Sequence, residues 1–193
     1  MSLSKCCIEG KLWDGEPVGE KRSAQAKRAT YLETILKLHA DQYAKEVNTT
    51  VYMLDFYGGE VLPAEFLKDM SQLRKVDLPG VMVRSSKETR EPELLRFATE
   101  LGSQYNRVGA ISFCRGGWAV FKLGARSDSS LVYCISAVHP SLLEKLGIEQ
   151  VEVLVQILAP ENDFMFSPEM NAFANRAVPR SGVSYDYQHF LGV

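Results

Sequence analysis

The chain has 193 residues, 46% of them apolar and 24% charged, with a formal net charge of −2. That length suits one domain, 1–193, with a sizeable core, and the charge balance argues against nucleic acid or an anionic membrane as a partner. No apolar run is long enough to span a bilayer, and the first residues lack the apolar core of a signal peptide. Cys6, Cys7, Cys114 and Cys134 follow neither a disulfide framework nor the paired spacing of a zinc site, so the expectation is a reduced, cytoplasmic protein without metal or cofactor.

Residues 1–28 read as an irregular segment punctuated by Gly10, Gly15, Pro17 and Gly19. Its basic residues Lys21, Arg22, Lys27 and Arg28 read as a solvated face. Residues 31–46 carry an apolar stripe through Leu32, Leu36, Ala40, Tyr43 and Ala44, which predicts a helix. The β-branched and aromatic run 49–56 predicts a strand closed by Gly58 and Gly59. Pro63 opens a predicted helix over 63–74, and 75–90 is ambiguous around the turn Pro79-Gly80. Pro92 reads as a helix start, with helical spacing through Leu101.

Residues 107–124 read as a short buried strand, a sharp turn at Cys114, and a helix opened by Gly116 and Gly117. An apolar strand over 130–138 follows and ends in His139-Pro140, with a short helix expected over 141–146. The next strand is predicted at 151–158 and runs into a turn ending at Asp163. Ser167 and Pro168 look like an N-cap and first helical residue, opening a helix through Ala177. The alternating run 183–190 reads as a last strand.

Strands alternating with helices predict an α/β domain with a mostly parallel sheet. Sites in such sheets form outside the carboxyl ends of the strands, where Cys114, His139 and Asp163 all fall. The segment around Cys114 has the layout of a nucleophile elbow, which holds a Ser or Cys on a strained strand-to-helix turn. Gly116 and Gly117 supply the small neighbours that the turn needs, Ser112 stands where a glycine is usual, and the Arg115 N–H is aimed at a forming oxyanion. The bland alternative is a buried structural cysteine.

A thiol nucleophile needs a base, and the base needs an orienting carboxylate. Asp163 is the candidate acid, with a turn-capping aspartate as its structural alternative and Glu161 as the fallback. Among the histidines, His39 reads as a surface or half-buried helix residue and His139 as a pocket wall. His189 follows the nucleophile and the acid in chain order, but lies within the strand that carries Tyr185 and Tyr187.

The segments Ile111–Trp118, Ala137–Pro140 and Ile157–Asp163 resemble the dienelactone hydrolase family, most of all its fungal members. The likeness extends through Cys6–Gly10, Ala40–Ala44, Asp55–Glu60 and Arg90–Pro92. It implies an α/β-hydrolase fold, a mostly parallel sheet with helices on both faces. It also implies a Cys–Asp–His triad that cleaves small ester or lactone bonds without a metal. Carried over, Cys114 is the nucleophile and Asp163 the triad acid; the reading of the residues themselves adds His189 as a makeshift base, and Arg115, Gly116 and His139 as oxyanion and pocket residues. The partner would be a small-molecule ester or lactone, and the chain a monomer or weak homodimer.

Two departures from the family pattern shape the expectation. The family's histidine lies in a His-Gly-Phe segment beyond a stretch like 185–193, so His189 falls where the family has an aromatic strand residue. An apolar strand and an oxyanion loop, expected between stretches like Thr30-Tyr31 and Leu36-Lys37, are also missing. The fold expectation is therefore a truncated one. The alternative function is a non-catalytic truncated relative, a pseudoenzyme or small-molecule binding module, with thiol redox sensing as a third possibility.

Overall fold

Helix α1, Tyr31–Val47, forms where the apolar stripe places it and stops at Asn48, whose φ of 50° is left-handed. The computed structural model describes residues 31–58, 77–125 and 131–192. The irregular segment 1–28, Cys6, Cys7 and the helix expected at 63–74 lie outside these residues. The chain divides into two compact units, Leu3–Arg90 and Glu91–Val193.

In the first unit, residues 51–55 form no strand, contrary to expectation. Asp55 Oδ1 instead accepts the Tyr57 N–H at 3.0 Å and starts a turn that ends on Gly58, at φ 61°. Strand propensity is mostly a preference for a pleated, packed surface, and no ladder forms along this run among the described residues. The ambiguous stretch resolves into α2, Leu78–Arg84, capped by Asp77, whose carboxylate accepts the Gly80 N–H at 3.0 Å.

Helix α3, Lys87–Gln104, begins ahead of the expected start at Pro92. Ser86 sets that start: its carbonyl accepts the Arg90 N–H at 3.0 Å, and its hydroxyl accepts the Thr89 N–H at 3.4 Å. Pro92 therefore sits inside the helix rather than at its first position. No described helix is long and apolar enough to cross a membrane.

The second unit carries the sheet. Strands β1 (Gly109–Phe113), β2 (Cys134–Val138), β3 (Leu154–Pro160) and β4 (Tyr185–Phe190) are all parallel, in the order β1-β2-β3-β4. The class is α/β, as the alternation of elements predicts. Strand β3 starts later than expected because Val151 makes an isolated antiparallel bridge with Ala125 instead. Between the strands lie α4 (Gly117–Leu123), α5 (Lys145–Glu149) and α6 (Pro168–Arg180). Ser167 caps α6 by accepting the Met170 N–H at 3.3 Å, with Pro168 at the start. The helix expected at 141–146 is displaced to α5 because Leu142, at φ 60°, cannot be helical.

One face of the sheet is dry. Ser112, Ile135, Ala137, Val155, Ile157 and Ala159 alternate along it, all buried. Helix α4 closes over that face with Trp118, Ala119, Val120, Phe121 and Leu123 buried, and α6 adds Ala174 and Val178. On the opposite face Ile111 and Leu154 are 45% and 51% exposed. Across that face Ser136 Oγ donates to Gln156 Oε1 (2.8 Å), and Gln156 Nε2 donates to Asp186 Oδ2 (2.7 Å).

Strand β4 is tied to α6 through its inward tyrosines. Asn171 Nδ2 donates to Tyr187 Oη at 2.7 Å, and Tyr185 Oη donates to Asn175 Oδ1 at 3.1 Å. Burial pushes the Tyr185 hydroxyl well above the usual tyrosine range, and Tyr187 and Asp186 add to the effect. A raised folded-state pKa contributes stability that is present below the unfolded value of about 10 and is lost as pH rises past it. The wild type should therefore lose stability between pH 8 and pH 11 more steeply than Tyr185→Phe, read by denaturant melts at both pH values. Parallel losses in the two proteins would rule this out.

Candidate active site

The backbone runs extended through Phe113 (φ −122°, ψ 143°), turns left-handed at Cys114 (φ 48°), and becomes helical at Gly116 (φ −66°). A non-glycine residue there costs about 1–2 kcal/mol and persists only if its surroundings hold it. Two backbone bonds do so. The Cys114 carbonyl accepts the N–H of Ser141 at 2.8 Å and that of Gly117. Packing completes the restraint. A Cβ on Gly116 would come within 2.8 Å of Ser112 Cβ, and one on Gly117 within 2.5 Å of Pro140 Cβ. Residue 116 is thus held to glycine as long as position 112 carries a Cβ. The buried hydroxyl of Ser112 makes no hydrogen bond among the described residues.

Arg115 and Gly116 form the rest of the 3-10 turn, Cys114–Gly116, and both are partly buried. Cys114 is itself partly buried and is not in a disulfide.

His139 directly follows β2. The pairing of Phe113 with Val138 places it beside Cys114 at the carboxyl edge. Its backbone is also left-handed, at φ 37°, and its N–H donates to the Leu158 carbonyl at 2.8 Å. Two residues on, Ser141 is only 2% exposed, and its Oγ lies 3.9 Å from Cys114 Sγ. Ser141 is the residue that sequence reasoning missed. The one available signal was a small polar side chain just past a strand end.

Asp163 lies just beyond β3 and is 9% exposed. Its two carboxylate oxygens differ. Oδ1 accepts the N–H groups of Met165 (2.8 Å) and Phe166 (3.1 Å), which is the turn-capping role. Oδ2 is buried and has no hydrogen-bond partner among the described residues, so it could accept the N–H of a base. Glu161, the fallback acid, is exposed, and its Oε2 accepts the Gly192 N–H at 2.9 Å.

The structure does not bring His189 to Cys114. His189, on β4, pairs with Ala159 of β3, is exposed, and stacks on Tyr187 at 6.3 Å between ring centroids. Among the described residues, strands β1 and β4 are opposite edges of the sheet with two strands between them. Three spacings of about 4.8 Å separate their backbones by roughly 14 Å, beyond the reach of a histidine seeking a hydrogen bond to the thiol. His39 sits on α1 in the first unit, with its ring stacked on Tyr43 at 6.3 Å.

The described residues contain no group of three or more His, Cys, Asp and Glu side chains that could hold a metal ion. A concavity of about 520 Å³ lines the more exposed sheet face around Gly109, Cys134, Leu154 and Asp186. It lies toward the start of the strands, and Cys114 and Asp163 do not line it.

No protein-family model matches the chain, and no curated protein matches it in sequence.

Proposed function

We propose that this chain is a cysteine hydrolase of the dienelactone-hydrolase type, built on an α/β-hydrolase scaffold and acting on small ester or lactone bonds. The observation that carries the proposal is the left-handed Cys114, held between a parallel strand and a helix at the carboxyl edge of the sheet. The Cys114 thiolate attacks the ester carbonyl carbon and forms a C–S bond, with the negative oxygen facing the Arg115 N–H. Collapse breaks the C–O bond. The departing alkoxide, or the opened end of a lactone, takes a proton from water. Water then attacks the thioester, the C–S bond breaks, and acid and thiol are released.

With His189 on the opposite sheet edge, solvent takes the thiol proton in this scheme. A positioned base typically contributes about 10²–10⁴-fold, so turnover should be slow by that measure. In this reading His139 stands beside the thiol at the carboxyl edge of the sheet, and Asp163 Oδ2, buried and without a hydrogen-bond partner among the described residues, remains available to an incoming donor.

The position of His189 favours one second reading, a pocket that binds a small ester or lactone without cleaving it. An activated phenyl ester separates the two. Intact-mass analysis should find a transient acyl group on the wild type, mapped to Cys114, together with released phenol. Binding of the ester without an adduct at Cys114 would refute the hydrolase and leave the binding module.

A further inference from the structure

We infer that Ser141 is a positioning residue for the Cys114 thiolate: its N–H fixes the elbow and its hydroxyl donates to the charged sulfur. The inference rests on the reading of Cys114 as a nucleophile. The two residues are linked at two points. The Ser141 N–H donates to the Cys114 carbonyl at 2.8 Å, and Ser141 Oγ stands 3.9 Å from Cys114 Sγ, the outer limit of a sulfur hydrogen bond.

The surroundings make both points specific. Pro140 and Ser141 are buried, and a Cβ on Gly117 would lie 2.5 Å from Pro140 Cβ and 3.1 Å from Ser141 N, so the segment is seated tightly on the start of α4. His139 and Leu142, on either side, are left-handed at φ 37° and 60°. The chain therefore kinks on both sides of Pro140-Ser141, at the one place where this hydroxyl meets the thiol. A hydroxyl has a proton to give, and a thiolate accepts one more strongly than a neutral thiol does. Ser141 thus favours the charged form, and the energy it supplies does not depend on a histidine.

The test is the pH profile of Cys114 alkylation by iodoacetamide, followed by peptide mapping in wild type, Ser141→Ala, Ser141→Gly and Ser141→Thr. Loss of the hydroxyl in Ser141→Ala should raise the midpoint by about one pH unit, a roughly tenfold slower reaction at neutral pH. Ser141→Gly should shift it in the same direction, and Ser141→Thr should restore it. Thermal melting of each variant separates this effect from stability. Wild-type midpoints in both Ser141→Ala and Ser141→Gly would overturn the inference, as would a lower melting temperature with an unmoved midpoint. A wild-type Cys114 that resists alkylation at every pH would also overturn it. Should Ser141→Ala fail to fold, the comparison of wild type with Ser141→Gly decides. A midpoint that moves with Ser141 in a protein that forms no acyl-thioester would sink the hydrolase proposal and keep this one.

Discussion

Cys114→Ala is expected to abolish acyl-thioester formation and to slow hydrolysis of an activated ester by at least about 10³-fold. The fold should survive the change. Alanine at φ 48° is strained to much the same degree as cysteine, and the backbone bonds from Ser141 and Gly117 to residue 114 do not involve the side chain. Cys114→Ser is the sharper comparison. It changes one atom of the side chain and keeps its shape, but a hydroxyl without a positioned base is a poor nucleophile near neutral pH, whereas a thiol is already partly ionised. Serine should therefore be nearly as inactive as alanine. The measurement is steady-state release of the phenol, with intact mass for the adduct. Equal rates in wild type and Cys114→Ala would remove Cys114 from the chemistry.

Gly117→Ala should be the most damaging single methyl that can be added around the elbow. The new Cβ would lie 2.5 Å from Pro140 Cβ and 2.9 Å from Pro140 Cα. Neither atom belongs to a flexible side-chain end, and Pro140 is fully buried. Strand and helix must part to admit it, at a cost of about 3 kcal/mol, or a fall in melting temperature of roughly 6–12 °C. The same shift pushes Ser141 N away from the Cys114 carbonyl, so Cys114 alkylation should slow as well. Gly102 and Gly147 provide the control. Both lie inside helices, and a Cβ there would meet nothing within 4 Å. Alanine at either should hold stability or raise it by up to about 1 kcal/mol. A Gly117→Ala melt that matches these controls would contradict the packing described at the elbow.

The elbow was legible in the sequence because its determinants are local: an apolar strand, a small turn and two adjacent glycines. The start of α6 was legible for the same reason, since Ser167 and Pro168 cap it within four residues. What escaped depends on distant partners or on competing signals. Residues 49–56 have the composition of a strand, but a strand exists only if something pairs with it. Pro92 carries a helix-start signal that the Ser86 cap overrides. The displaced helix at 141–146 is a tertiary effect: Ser141 is bound to Cys114, 27 residues away, and Leu142 turns left-handed next to it. The same distance hid Ser141 from the sequence reading of the site. His189 followed Cys114 and Asp163 in chain order, but order along the chain does not reveal that its strand forms the opposite edge of the sheet.

Cys114, His139 and Leu142 all have left-handed backbones, and all lie at or just past the carboxyl ends of two neighbouring strands. Among the described residues of the second unit, every left-handed non-glycine residue lies at that edge, at about 1–2 kcal/mol each. That edge is also where a search for a sturdier protein would converge first, because glycine adopts these conformations without strain. Robustness and reactivity are therefore opposed at a single residue: the substitution that best relaxes position 114 is also the one that deletes the thiol.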